Sequence, residues 1–403
     1  MSLRGDATVR SVVTAPESLA SPAPLASPGT DTPLPPPGSS APPVAAPAPK
    51  RSRFGPIGSL DGLRAIAVLI VVVSHAGYGD VIPGGLGVTI FFFLSGYLIT
   101  TLLLDEWDRH GAINVKHFYG RRAFRLLPSL FVTLAVAYLL VAIGRLDGGI
   151  SVQGFFSQVF YFANYYTIFF DHGGTVPTGT GILWSLAVEE HFYILFPLLM
   201  WVVLRYRNAR GFLIGLFAAL CALALAWRMW LVRQPGFVEI RTYYGSDTRF
   251  DSILYGALLA LCLNPARLPW KPGREKMRSI DWLVCAGALA LLLGTILYRQ
   301  PEFRESLRYS LQGIALLPLF FYAVRYPTAG PFRLLNTRVL ARLGVLSYGI
   351  YLIHDVILSA MPADIHIPNW ARFILGVALA AGFAALLDRL VDPYFRRKRA
   401  ALR

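Results

Sequence analysis

Several costly side chains lie inside stretches of this sequence that are otherwise hydrocarbon. Arg64 and His75 are eleven positions apart in one apolar run, which at 100° per residue puts both on one helix face about 16 Å apart along the axis. An ionisable group in a bilayer costs about 2.5–3.5 kcal/mol on insertion scales, so each one that persists needs a partner or a task. From Trp184 to Tyr193 two carboxylates and an imidazole (Glu189, Glu190, His191) follow Ser185, with Ser185, Glu189 and Tyr193 repeating at i+4 as a polar stripe. Further on, Ser347, Tyr351 and His354 fall on one face, with Asp355 beside them. Counted from the inner ends of their runs, His75 and His354 have about the same depth, so two imidazoles and a carboxylate can meet at one level. Such a meeting would serve acid–base chemistry, because imidazole titrates near neutrality.

Each feature also has a structural reading. Arg64 can be an anchor paired with Asp61 at i−3, and His75 a neutral imidazole bonded to a carbonyl of the bundle. The 184–193 run can be a helix end in water, and the 347–354 stripe a polar clamp between helices. Two clusters sit at boundaries: Asp247, Arg249 and Asp251 at an outer helix start, suited to a polar acceptor, and Arg121, Arg122 and Arg125 at an inner one. Arginines at this spacing suit planar phosphate recognition, and they also serve as an orientation signal. His110, His117, His172 and His366 lie in loops and indicate nothing specific. Cys221, Cys262 and Cys285 have neither CxxC nor Cys/His spacing, so neither a disulfide framework nor a metal site is expected.

The elements that hold these residues follow from composition. The chain has 403 residues, 55% hydrophobic and 15% charged, against about 45–50% and 25% for soluble domains. This excludes an ordinary soluble fold and indicates an all-α, polytopic membrane bundle. The net charge of +15 sits in short segments between apolar runs, which sets orientation in a lipid bilayer rather than implying nucleic acid. Residues 1–53 hold a Pro/Ala/Ser-rich stretch with twelve of the twenty-eight prolines, ended by Lys50, Arg51 and Arg53, and are expected to be a disordered cytoplasmic tail.

Apolar stretches occur at about 63–79, 84–104, 126–144, 152–170, 185–204, 211–231, 250–264, 280–298, 308–324, 343–361 and 371–391. If all eleven cross, the basic loop 205–210 and the later basic loops fall outside, against the positive-inside rule. If 152–170 does not cross, then 105–125, 205–210, the Arg267/Lys271/Arg274/Lys276/Arg278 loop, 325–342 and the Arg396–Arg399 end share the inner side. That stretch is also the most aromatic. Ten spanning helices are therefore expected, with one interfacial or re-entrant segment and both termini inside. The membrane domain is placed at 54–395 and a basic C-terminus at 396–403.

The ordered motifs resemble the bacterial acyltransferase type 3 family. They run from Leu60-Asp61-Gly62-Leu63-Arg64-Ala65 through His75, then Gly87-Val88 and Phe91 to Thr100, then Arg121 to Pro128, Trp184 to Tyr193, Asp247 to Asp251, and Gly344 to His354. The resemblance covers about residues 56–395. It implies a ten-helix enzyme of the bacterial cytoplasmic membrane that moves an acyl group, by default acetyl, from cytoplasmic acyl-CoA to a hydroxyl of a glycan, glycolipid or macrolide-like acceptor. The Arg64–His75 pair is implied to be catalytic, and Arg122 with Arg125 to meet acyl-CoA, the donor substrate; no tightly bound cofactor is expected. His191 stands where the family pattern has Gln. Many relatives carry an added SGNH esterase-like domain, which is not expected here.

Residues and resemblance together give one expected mechanism. Arg121, Arg122 and Arg125 hold the CoA phosphates, and His75 acts as general base or as transient acyl carrier. Glu189 or Glu190 orients His75. Ser185, Ser347, Tyr351 and His354 line the acceptor side, with Asp247, Arg249 and Asp251 beyond. The rival reading is a proton-coupled transporter or flippase, since buried His and Glu also build carriers, but no internal repeat is evident between the halves. A sensor or scaffold has no positive feature beyond the Pro-rich tail.

Overall fold

The computed structural model describes residues 58–171, 173–267, 276–362 and 367–402. The tail, His172, His366, Lys271 and Arg274 lie outside the described residues. In chain order the helices are α1 (Gly58–Val73), α2 (Gly84–His110), α3 (Val115–Ala142), α4 (Val152–Val159), α5 (Ala163–Phe169), α6 (Leu183–Val203), α7 (Ala209–Leu231) and α8 (Glu239–Tyr244). They continue as α9 (Ser246–Cys262), α10 (Ser279–Leu297), α11 (Pro301–Glu305), α12 (Leu307–Arg325), α13 (Phe332–Leu335), α14 (Arg338–Ser359), α15 (Asn369–Leu390) and α16 (Asp392–Ala400). No strand occurs among the described residues, only an isolated bridge between Gly148 and Pro177.

Nine of the described helices are long and apolar enough to cross a bilayer. The tenth expected crossing, 250–264, becomes α9, whose 17 residues span about 25 Å at 1.5 Å each, short of a ~30 Å hydrocarbon core. It packs between α2, α7 and α12, so its length need not match lipid. The stretch 152–170 is not one helix but two, of 8 and 7 residues, each too short to cross. A break at Phe160–Phe162 separates them, with Tyr161 in the left-handed region at φ 59°. The arginine cluster lies not before a helix but inside α3, which begins eleven residues earlier than the apolar run, capped by the Asn114 side chain on the His117 N–H.

Glycines set how closely the helices approach. A Cβ on Gly256 would overlap the Phe93 carbonyl, and one on Gly96 the Ile253 carbonyl, so α2 and α9 cross backbone against backbone. Gly344 meets the Asp61 backbone in the same way, which locks α14 on α1. Small residues at such crossings are how membrane helices gain packing without a hydrophobic drive. Between α1, α2, α3, α6 and α14 the core is aliphatic and aromatic: Val68, Val71, Phe92, Leu130, Ile350 and Ile353 are all buried.

Ion pairs gather several basic connections at one end of the bundle. Asp108 at the end of α2 holds both Arg210 (3.4 Å) and Arg267 (2.5 Å), and Glu106 holds Arg121 (3.3 Å). Asp388 takes Arg342 and Arg396, each at 3.1 Å. The basic C-terminal segment belongs to α16, which lies on α3 through stacked Phe124 and Phe395.

The close crossing predicts an asymmetric response to added volume. Gly256→Val should lower the thermal midpoint of the detergent-solubilised protein, overpacking of this kind costing about 1–3 kcal/mol. Gly287→Val, where no atom lies within 4 Å of the new Cβ, should leave it nearly unchanged in the same fluorescence melt.

Candidate active site

A cavity of about 190 Å³ opens between α1, α2, α3, α6 and α14. Arg64, Arg122 and Arg125 stand on its wall with Glu189 and Glu190, and Ser185, Ser347 and Tyr351 close it further in. The opposite wall is apolar and comes from α2, where Phe91, Phe92, Leu98 and Ile99 alternate with Ser95. One half of the space is thus cationic and polar while the other suits a hydrocarbon chain.

The three arginines are not equivalent. Arg64 is tied to Asp61 at 2.6 Å. Arg122 donates from Nε to Glu190 at 2.8 Å, reaches Glu189 at 3.5 Å, and lies over the Tyr193 ring at 3.1 Å. Arg125 has no ion-pair partner among the described residues, and it exposes its side chain where the cavity runs. Arg121, four residues before it, faces another way: it donates to the Leu402 carbonyl (2.8 Å) and to Glu106, and it is absent from the cavity wall. Its expected place at the phosphate site is not what the geometry gives, because α3 turns Arg121 toward α16.

The two imidazoles meet. His75 Nδ1 lies 2.9 Å from His354 Nε2, with ring centroids 5.1 Å apart and planes within 23°. His354 Nδ1 lies 2.7 Å from the Tyr351 carbonyl. A carbonyl can only accept, so His354 carries its proton on Nδ1 and, while neutral, presents a bare Nε2. His75 must then donate from Nδ1, which leaves its own Nε2 with a free lone pair. His354 is fully buried and His75 exposed. The helix winds wider at this point: Ser74–Tyr78 forms a π-turn, with Gly77 at φ 106° and its carbonyl held by Asn369 at 3.0 Å. Wide turns of this sort often mark functional positions.

Expectation and geometry part over the glutamates. Glu189 and Glu190 do not bond to His75; both are turned to Arg122, because α6 faces α3 at that level rather than the His75 end of α1. The group holding His75 is His354. Arg64 lies in the cavity, whose wall includes neither His75 nor His354 and ends at Tyr351. The Tyr351 ring is the link, with its hydroxyl 2.6 Å from Ser185 Oγ and its centroid 5.6 Å from that of His354.

The Asp247, Arg249, Asp251 group is not an open acceptor platform. Asp251 and Arg249 are fully buried. Asp251 pairs with Arg228 at 2.7 Å, both side chains at 0% exposure, and Ser310 completes the site at 3.1 Å. Arg249 has no carboxylate: it donates to the Tyr243 carbonyl and Thr89 Oγ1, each at 3.1 Å, and sits 4.1 Å from the Tyr309 ring. Asp247 accepts from Trp227 Nε1 (2.7 Å), from Tyr165 (3.2 Å) and from Arg241. Arg241, in the short α8, has its affinity for the proton raised above the usual guanidinium range by that bond.

With this geometry in hand, comparison with known proteins assigns the family. A model described as an acyltransferase domain, Acyl_transf_3, matches residues 57–389. The chain belongs to the acyltransferase 3 family. Among its relatives, a peptidoglycan O-acetyltransferase, OatA, of Listeria monocytogenes is 33% identical over 354 residues, covering 85% of this chain and 56% of the relative. A Staphylococcus aureus protein named "Putative O-acetyltransferase" is 33% identical over 364 residues, covering 87% and 58%. The chain thus spans little more than half the length of these relatives. No solved structure matches it.

In this acyltransferase 3 chain, reasoning from sequence missed Arg228, although an arginine inside the apolar run 211–231 carries the same insertion cost that drew notice to Arg64. It missed Tyr161 and Tyr348 on the cavity wall, since tyrosines in an aromatic run give no signal of their own, whereas Tyr193 of the i+4 stripe does stand there. The Arg228–Asp251 pair should behave as scaffold. Asp251→Asn should cost about 3–5 kcal/mol by leaving a buried guanidinium uncompensated, seen as loss of monodisperse protein. Arg228→Met with Asp251→Leu should recover most of that protein.

Proposed function

We propose that this chain is a membrane O-acetyltransferase, taking acetyl from acetyl-CoA at the end of the bundle where Arg125 opens into the cavity. The group is delivered to a hydroxyl of a carbohydrate-type acceptor at the His75 end. The observation that carries the reading is the hydrogen-bond sequence from the Tyr351 carbonyl through His354 to His75, which leaves one lone pair on an exposed imidazole. Family membership and the O-acetyltransferase names of its relatives point the same way.

Arg125, with Arg64 and Arg122 beside it, meets the CoA phosphates, and the pantetheine arm lies along the apolar wall of α2 toward Tyr351. His75 Nε2 takes the proton of the acceptor hydroxyl as its oxygen attacks the acetyl carbonyl carbon. The C–S bond breaks, the thiolate takes up the proton given back by the His75 imidazolium, and CoA leaves as the thiol. As His75 becomes an imidazolium, the bond from its Nδ1–H to His354 strengthens. The glutamates act through Arg122, holding its guanidinium in the wall. The basic connections gathered at the Arg125 end favour that end as the cytoplasmic one.

In proteoliposomes supplied with acetyl-CoA and an oligosaccharide, His75→Ala should lower transfer by about 10² to 10⁴ while folding and inserting normally; an unchanged rate would end the reading. His354→Phe should lower kcat with little effect on the KM for acetyl-CoA. Arg125→Gln should do the reverse, raising that KM about ten- to a hundredfold, as expected for loss of one charged hydrogen bond of about 1.5–3 kcal/mol.

A further inference from the structure

His191 takes no part in this mechanism. It stands one residue beyond Glu190, and its Nδ1 lies 2.7 Å from Ser246 Oγ at the first turn of α9. The direction of that bond is set by the imidazole tautomer, and Asn164 fixes the other side of the hydroxyl. The fully buried Asn164 gives one amide N–H to the Tyr244 carbonyl (3.1 Å) and the other to Ser246 Oγ (3.0 Å). The carbonyl fixes which way the amide points, since the reverse orientation would set two oxygens against each other. Ser246 Oγ therefore receives a proton from Asn164 and keeps its own proton and a second lone pair for its other partners.

With the imidazole proton on Nε2, Ser246 Oγ gives its proton to Nδ1, which is the polarity of a serine activated by a histidine. The Tyr161 backbone carbonyl is the other hydrogen-bonding neighbour of the ring. Tyr161 is the only described non-glycine residue in the left-handed backbone region, at φ 59°, and it also forms part of the cavity wall. Backbone strain of this type persists where the surroundings hold it in place. Tyr165 stacks on the ring at 5.9 Å and 18°. Both Ser246 and His191 remain partly exposed.

We propose that Ser246 and His191 form a second acyl-accepting site, behind the Tyr161 and Glu190 wall of the cavity, that takes acetyl from thioester or activated ester donors. The donor assignment rests on the acetyl-transfer reading above. Ser246 Oγ attacks the acyl carbonyl carbon while His191 Nδ1 takes its proton. The bond to the leaving group breaks, that group departs with the proton from His191, and acetyl-Ser246 remains as an ester. An acceptor hydroxyl or water then attacks the ester, and its proton passes through His191 back to Ser246 Oγ.

The test uses the full chain in lipid nanodiscs, without acceptor, in two arms: p-nitrophenyl acetate and acetyl-CoA. After acid quench, peptide mass spectrometry reads whether Ser246 carries acetyl. Both donors should mark Ser246. Ser246→Ala should abolish the mark, and His191→Gln, which keeps a polar group but cannot take the proton, should slow it at least about a hundredfold. Marking by p-nitrophenyl acetate alone supports the serine site while removing acetyl-CoA as its donor. No acetyl on Ser246 from either reagent, or marking at the native rate in His191→Gln, overturns the proposal. If a variant aggregates, the native protein still decides, because its peptide map either contains acetyl-Ser246 or does not.

Discussion

A guanidinium or carboxylate drawn into a helix bundle must be held by something, and the bundle is arranged around meeting that demand. Arg228 is met by Asp251, Ser310 and the Thr248 and Ser306 carbonyls. Arg122 is met by two glutamates and a tyrosine face, and Arg249 by a carbonyl, a threonine and aromatic rings. An unpaired charge in this setting costs several kcal/mol. Arg125 lacks such a partner among the described residues, and of the three arginines on the cavity wall it is the most exposed. Charges that hold helices together are thus separate from one left available to a ligand.

The same economy governs the histidines. A carbonyl on α14 dictates the tautomer of His354, and His354 dictates that of His75, so a backbone atom one helical turn away sets which nitrogen faces the exposed side. Such a sequence of bonds needs α1 and α14 at close range, and Gly344 against the Asp61 backbone supplies that range at the other end of the same helix pair. The widened turn at Ser74–Tyr78 then aims His75 away from the straight continuation of α1. Packing at one end and chemistry at the other are therefore two consequences of one helix contact.

The extended, aromatic segment 150–170 has a similar double use. Neither α4 nor α5 can span a bilayer, yet Gln158 is buried, bonded to Thr180 and Tyr138, and Asn164 anchors the start of α9. Exposed Phe156, Phe160, Phe169 and Phe170 cover the outside, as aromatic side chains do near a membrane interface. Between these polar anchors the chain bends at Tyr161, which brings one tyrosine to the cavity and one carbonyl to His191.

Much of this was legible from residue order. Hydrocarbon runs long enough to span, the break in the positive-inside pattern that demoted 152–170, and equal depth for His75 and His354 all follow from counting, because helix rise and bilayer thickness are fixed lengths. Tertiary structure decided what counting cannot reach: which side chain answers which charge. The i+4 stripe showed that Glu189 faces inward but not that Arg122 would be there to meet it. The order of Asp247, Arg249 and Asp251 likewise gave no hint that Arg228, from a different helix, would claim Asp251. Spacing along one helix is local geometry and is written in the sequence, whereas pairing between helices depends on their rotation and crossing, which arise only when the whole bundle packs.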